Sequence, residues 1–321
     1  MSNSKHLKII QIVIVALGLC TIFSCQRGAP SKSDPATIAL VMKTLNNPFF
    51  IDMQRGAEAA AEQLNIKLIV QAAEREVDVE KQMQIIENLI QRKVDAICVT
   101  PSGSREIVPA IVKANRANIP VLAVDTRIDE TTLAELGASI ATFIGSDNVE
   151  GGRIAGKYFA DQLQGRGKIA ILEGIPGHET GDARLRGFHE IIDQYTDIEI
   201  IASQTANWER DQGFNVFQNI LQSNPEVQAL FACNDMMALG AIEAIAVSKS
   251  AHKILVIGFD AVADARAAIR TGLMNGSIAQ HPYEMGFEAI LKANEVIEGA
   301  ALAGYIPVKI EMITQENIDS K

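Results

Sequence analysis

Aromatic residues are scarce in this 321-residue chain, at 5% of the total with a single Trp. Four cysteines occur and no two form a Cys-x-x-Cys pair, so no disulfide framework is encoded. An excess of positive charge is missing as well. The 29 Lys and Arg face 39 Asp and Glu, for a net charge of −10. That balance excludes nucleic acid as a partner, because phosphate neutralisation needs a cationic face. No Gly-x-Ser-x-Gly elbow and no phosphate-cradling Gly-Lys-Ser/Thr loop occurs. The histidines (His6, His178, His189, His252 and His281) are scattered without ligand spacing. His189-Glu190 starts like a zinc-protease helix, but Asp193 stands where the second ligand would be needed. The reading is therefore no enzyme, no metal and no cofactor.

What is present is a large core: 48% of residues are apolar and 21% charged, enough for about two domains at roughly 150 residues each. The first 24 residues differ from the rest. Lys5 and Lys8 precede Ile9–Phe23, an apolar run broken only by Gln11 and Thr21. That run is shorter than the ~20 residues a membrane span needs, and the pattern is that of an export signal. A retained anchor helix is the alternative. The run ends Ile22-Phe23-Ser24-Cys25, which resembles a bacterial lipoprotein cleavage site with Cys25 as the lipidated residue, although Phe23 is large for such a site. The Ser/Gly/Pro-rich stretch 25–35 reads as a tether. Cys98 and Cys233 sit inside apolar runs and read as small buried hydrophobes.

From residue 36 onward, short Val/Ile/Leu/Ala runs alternate with amphipathic stretches. Strands are expected at 38–42, 66–70, 96–99, 121–124, 142–144, 169–172, 199–202, 229–233, 254–258 and 277–279. Helices are expected at 48–64, 79–92, 105–117, 149–163, 182–195, 210–221, 236–246, 262–271 and 283–298. The strands are apolar without alternation, so both faces should be covered, as in parallel sheets. The fold class is α/β: two Rossmann-like, doubly wound lobes. The halves echo each other, since Cys98 to Asp125 and Cys233 to Asp260 are both 27 residues. Each Asp then falls at a strand's carboxyl end, where open α/β sheets bind ligands.

The Gly-rich run Gly145–Gly152 follows a strand and opens a helix, yet it lacks the Gly-x-Gly-x-x-Gly fingerprint and carries two acids. Close helix packing at Gly151 and Gly152 explains it without a phosphate. Asn47 can cap a helix with Pro48 at its first position, which puts Phe49 and Phe50 on the first turn pointing in different directions. One ring or both belong either to the core or to a cleft. The lone Trp208 follows a strand in a polar loop, as a surface-packing residue or as a binding platform.

Several stretches together resemble the periplasmic ribose-binding protein family, the type I solute receptors of ABC importers. They are Ile38-Ala-Leu-Val, Thr44-Leu-Asn-Asn-Pro-Phe-Phe, Ala117-Asn-Ile-Pro-Val, Ser146-Asp-Asn-Val-Glu-Gly-Gly, Asn234-Asp-Met-Met-Ala-Leu-Gly, Val256-Ile-Gly-Phe-Asp and Ile278-Ala-Gln-His-Pro. The resemblance runs from about Ala36 to the end. The related lactose-repressor family shares the fold but begins with a helix-turn-helix. The resemblance implies a three-segment hinge, with crossings near Gly145, Gln280 and Lys309–Ile310. It divides the chain into a first lobe of 36–145 plus 281–309 and a second of 146–280 plus 310–321.

It also implies ligand contacts from Asn47, Phe49, Phe50 and Asp125 in the first lobe, and from Arg184, Trp208, Asn234, Asp260 and Gln280 in the second. Trp208 stands where ribose receptors have a Phe. Two positions depart further: Lys43 replaces a Ser, and Thr126 replaces an Arg for which Arg127 is the candidate substitute. Structural alternatives remain for Asp125 and Asp260 (a helix cap or hinge ion pair) and for Lys43 (a solvated strand end). The expected function is an exported monomer that captures a monosaccharide and delivers it to an ABC permease. The ligand is a pentose, hexose or polyol. A receptor feeding a chemotaxis or signalling partner and a secreted sugar-active enzyme are the alternatives.

Overall fold

The computed structural model describes residues 35–248 and 253–320. The expected signal, Cys25, nearly all of the tether and His252 lie outside the described residues. No helix among the described residues is long and apolar enough to cross a membrane.

Twelve strands are described: β1 (Thr37–Met42), β2 (Lys67–Ala72), β3 (Ala96–Val99), β4 (Val121–Val124), β5 (Thr142–Ser146), β6 (Arg166–Glu173), β7 (Asp197–Thr205), β8 (Ala229–Ala232), β9 (Leu255–Asp260), β10 (Gly276–Ala279), β11 (Tyr305–Val308) and β12 (Glu311–Thr314). The helices are α1 (Pro48–Leu64), α2 (Val79–Gln91), α3 (Val108–Arg116), α4 (Glu130–Leu136), α5 (Asn148–Gln162), α6 (Glu179–Ile192), α7 (Arg210–Ser223), α8 (Asp235–Ser248), α9 (Ala263–Arg270) and α10 (Pro282–Ile297).

The strands form two six-stranded sheets, ordered β11-β5-β4-β3-β1-β2 and β12-β10-β9-β8-β6-β7. All neighbours in the first sheet run parallel; in the second, only the β10–β12 pair is antiparallel. The two orders match position for position, with β4 equivalent to β9 and β3 to β8. The equal spacing from Cys98 to Asp125 and from Cys233 to Asp260 follows from that duplication. The chain passes between the sheets three times: from β5 to β6, from β10 to β11, and from β11 to β12.

The period-2 geometry of a strand divides the first lobe's core in two. Ile38, Leu40 and Met42 pack with Phe50 and Met53 of α1 and with Met285, Ala289 and Ala293 of α10. Ala39 and Val41 face the other way, onto Ile86 and Leu89 of α2 and Val108 and Ile111 of α3. Both faces are covered, which is why the central strands read as unbroken apolar runs.

Three helix pairs approach through reciprocal glycines. A Cβ at Gly56 of α1 would lie 1.9 Å from Tyr283 O, and one at Gly286 of α10 would lie 1.9 Å from Met53 O. Gly152 of α5 meets Arg184 O at 2.0 Å, and Gly187 of α6 meets Val149 O at 1.9 Å. Gly213 of α7 and Gly240 of α8 repeat the arrangement against Met237 O and Arg210 O. The glycine run before α5 is thus a packing feature, since Gly151 also lies beneath the Phe259 ring.

Three elements have no counterpart in the sequence expectation. α4 has seven residues and buries only Leu133. β11 and β12 are four-residue edge strands, and β11 carries Pro307, a residue that edge strands tolerate. None of the three has an apolar pattern long enough to announce it.

Candidate functional site

Strand carboxyl ends from both sheets converge on one cavity of about 280 Å³. Its wall includes Lys43, Asn47, Phe49, Phe50, Glu76 and Asp125 from the first lobe and Thr180, Arg184, Trp208, Asn234, Asp260 and Gln280 from the second or its boundary. Ten of the twelve expected ligand-contacting residues are therefore together.

Lys43, directly after β1, is 3% exposed. Its Nζ lies 2.9 Å from Asp125 Oδ2 and donates to Thr126 Oγ1 at 2.8 Å. Asp125 follows β4 with a left-handed φ of 66°. Such strain persists only where neighbours fix it, and here the Asp125 amide donates to Ile144 O while its carboxylate is tied to Lys43 and Thr126. Asn47 caps α1, accepting from the Phe49 amide, and its Nδ2 donates to Glu76 Oε1 at 3.2 Å. Capping leaves Phe49 and Phe50 on the first turn, edge to face at 5.2 Å, and both are buried wall residues.

In the second lobe, Arg184 on α6 is braced from behind. Its Nε donates to Asn148 Oδ1 at 2.9 Å, its Nη1 donates to the Cys233 carbonyl, and its Cζ stacks 3.7 Å from the Phe259 ring centre. Nη2 remains 3.9 Å from Asp260 Oδ1. Asp260 ends β9 with a φ of 112°. The buried Asp235 secures the following turn, accepting from the Val262 amide and from Ser277 Oγ, which itself accepts from the Ala261 amide. Gln280 Nε2 donates to Asp260 Oδ1 at 2.8 Å, leaving Gln280 Oε1 buried without a partner. Trp208 lies flat on Gly174, where any Cβ would collide with the indole, and Trp208 Nε1 is likewise buried without a partner. Asn234 has a scaffold role: its Oδ1 accepts from the Met237 amide, capping α8, and its Nδ2 donates to Trp208 O.

Two expected contacts are corrected. Thr126 is not a wall residue: its hydroxyl proton goes to Asp125 Oδ2, and its oxygen accepts from Lys43 behind the wall. Arg127 points elsewhere, its guanidinium 4.2 and 4.5 Å from the ring centres of Phe143 and Tyr305. A stacked aromatic pair attracts a cation more than a cavity that already holds two. Glu76 and Thr180 are wall residues the sequence did not disclose. Glu76 sits in the charged run Glu74-Arg75-Glu76, which reads as solvated, and Thr180 precedes the expected start of its helix.

The lobes touch across the cleft. Thr180 Oγ1 and Thr126 Oγ1 are 2.9 Å apart, His178 Nε2 donates to Pro101 O at 3.1 Å, and the Glu179 amide donates to Ser104 Oγ at 3.2 Å. Farther out, Arg75 pairs with Glu209 at 3.4 Å.

The carboxyl groups are held in unlike states. Burial alone would raise Asp125, but Lys43, with help from Arg184 and Thr126, brings it below the usual carboxylate range. Burial pushes Asp260 up to about 7 against the pull of Arg184 and Gln280. Glu76 is also raised by burial to about 7, with Lys43 and Asn47 opposing. Burial and the neighbouring Lys43 lower His178 to about 3, so its ring is neutral. The wall thus pairs fixed cations and amides with buried acceptors and flat rings. No hydroxyl or thiol on it is paired with a base.

This combination is that of a two-lobed solute receptor with a cavity at the sheet ends. The chain belongs to the periplasmic binding protein family, whose domain profile matches residues 38–301. It is 36% identical over 312 residues, 95% of this chain and 98% of the relative, to the ribose import binding protein of Bacillus subtilis. It is 33% identical to the D-allose-binding periplasmic protein of Escherichia coli, covering 88% of each chain. Among solved structures, an ABC transporter periplasmic solute-binding protein from Actinobacillus succinogenes with bound D-allose is 39% identical, with a TM-score of 0.83 over 89% of this chain and all of that one. A Bacillus halodurans solute-binding protein with bound myo-inositol is 27% identical, with a TM-score of 0.81 over 90% of this chain and 98% of that one.

Proposed function

We propose that the chain captures one monosaccharide between its lobes and delivers it to an ABC-type importer. The observation that carries this reading is the make-up of the cavity wall. It sets the Phe49 and Phe50 rings on one lobe and the Trp208 indole on the other, with Lys43, Asp125, Arg184 and Asp260 among them. A sugar has apolar C–H faces and a rim of hydroxyls that both donate and accept. Flat rings match the faces. Carboxylates and cations match the rim through charge-assisted hydrogen bonds.

The mechanism is hinge closure. Sugar held by one lobe brings the other lobe's groups within reach, and the shut form is favoured by its higher affinity for the sugar. A Kd near 1 μM corresponds to about −8.2 kcal/mol, within reach of two ring faces and several charge-assisted bonds. The wall binds without reacting, so sugar is returned unchanged after incubation. Residues 1–24 direct export, and Cys25 is the lipid attachment site that holds the chain at the outer face of the cytoplasmic membrane. The chain acts as a monomer.

A thermal-shift screen against pentoses, hexoses and polyols tests the function. Saturating sugar raises the melting temperature by mass action, and D-allose and D-ribose are the first candidates. A screen with no stabilising sugar refutes it. Mass spectrometry of the exported protein tests the lipid on Cys25.

A further inference from the structure

Most polar wall groups are already tied to the protein. Asp125 is held by Lys43 and Thr126, Asp260 by Gln280, and Arg184 by Asn148 and Cys233. Besides the unpartnered Gln280 Oε1 and Trp208 Nε1, the corner beside Phe50 and Asn47 is less satisfied. The Lys43 ammonium has three N–H groups, and two go to Asp125 and Thr126. Among the described residues, its third has no hydrogen-bond partner. Glu76 accepts a single hydrogen bond, from Asn47 Nδ2 to Oε1, so Oε2 has none although the residue is only 6% exposed. Lys43 and Glu76 line the same cavity, and a free donor and a free acceptor there match one hydroxyl group, which must accept and donate at once.

We propose that Glu76 is a specificity-determining residue that, with Lys43, selects a sugar carrying a hydroxyl at this corner. The assignment rests on the sugar-binding reading and adds to it a wall residue outside the expected set. Lys43 and Glu76 are not paired with each other; the Lys43 ammonium pairs with Asp125 at 2.9 Å.

A second consequence concerns protons. The charged groups acting on Glu76 are Lys43, Asp125 and Asp260, and burial raises the Glu76 carboxyl to about 7. A hydroxyl donating to the carboxylate favours its ionised form, so sugar binding expels a proton from this site.

The test is calorimetry on the unaltered protein and on Glu76→Gln, with D-allose, D-ribose and each monodeoxy analogue of D-allose. Titrations run at pH 7 in two buffers of different ionisation enthalpy. The variant should bind the parent sugar about 10- to 100-fold more weakly, the range one unpaired buried polar group costs. One deoxy analogue should bind both proteins equally, because it lacks the hydroxyl that Glu76 reads. The others should keep the full loss. Proton release should fall by the part due to Glu76. Glutamine matches glutamate in shape, and a melting temperature of Glu76→Gln at pH 7 no lower than that of the unaltered protein would show that folding is not the cause. An unchanged parent affinity in the variant, or a loss spread evenly over all analogues, overturns the assignment while leaving sugar binding intact. If the unaltered protein binds neither parent sugar, the sugar reading fails and this assignment falls with it.

Discussion

Asp125 and Asp260 occupy equivalent places in the two lobes and are held in opposite ways. Asp125 sits against Lys43 and ionises more easily than a free carboxyl, so its contribution to stability is present above its unfolded value of 3.8 and is lost as pH falls through its lower folded value. Asp260 and Glu76 are raised to about 7. Their contribution runs the other way: it is full below the unfolded values of 3.8 and 4.5 and is lost as pH rises through about 7. The ligand-free protein should therefore melt highest near pH 4 and lose stability as pH rises toward about 7, measured by calorimetric scans across pH. Asp260→Asn should raise the ligand-free melting temperature at pH 8, lose that advantage toward pH 4, and weaken sugar binding. Asp125→Asn should do the reverse to stability, because it leaves the Lys43 ammonium buried without a counter-charge, a change that costs about 3–5 kcal/mol. Chemical denaturation at pH 7 reads that cost. A stabilised Asp125→Asn would contradict the electrostatic assignment.

The helices are fixed by packing details that a sequence shows only in part. The stretch over Pro48–Leu64 was legible from its amphipathic pattern and the proline after the Asn47 cap, and the helix at Pro282–Ile297 from its amphipathic pattern alone, which set its expected start one residue late. The central strands were legible from their unbroken apolar runs. The edge strand β7 runs longer than expected, because its half-exposed residues mix polar with apolar types. Most of the wall was legible by resemblance, since its residues lie within a few positions of strand ends. Glu76 was not, because a charged loop looks solvated until a second lobe covers it. Arg127 was misplaced because adjacency to Asp125 carries no information about the aromatic pair that draws it off. The reciprocal glycines give the test at this scale. Gly187→Ala would put a Cβ 1.9 Å from Val149 O, against backbone that cannot yield without parting α5 from α6. Urea denaturation should show a loss of roughly 1–3 kcal/mol, typical of overpacking. Sugar affinity should fall too, because Arg184 lies on the displaced helix. Unchanged stability would mean the helices are not held at that spacing.

For the molecule as a whole, two duplicated sheets meet at their carboxyl ends, and the chain passes between them three times. Among the described residues, the direct bonds across the cleft are Thr126 with Thr180, His178 with Pro101, Glu179 with Ser104 and the outer pair Arg75–Glu209. The outer pair is solvent-exposed and contributes at most about 1 kcal/mol. A bound sugar therefore supplies much of what favours the shut form. Small-angle scattering should show a smaller radius of gyration with saturating sugar than without. The only Trp of the chain lines the cavity, so its emission should change along the same binding curve. Titration calorimetry of the purified protein against a panel of monosaccharides addresses the cavity itself. It should find at least one sugar that binds with one site per chain at micromolar affinity or better. No measurable binding by any pentose, hexose or polyol would contradict the assignment of this cavity to a sugar.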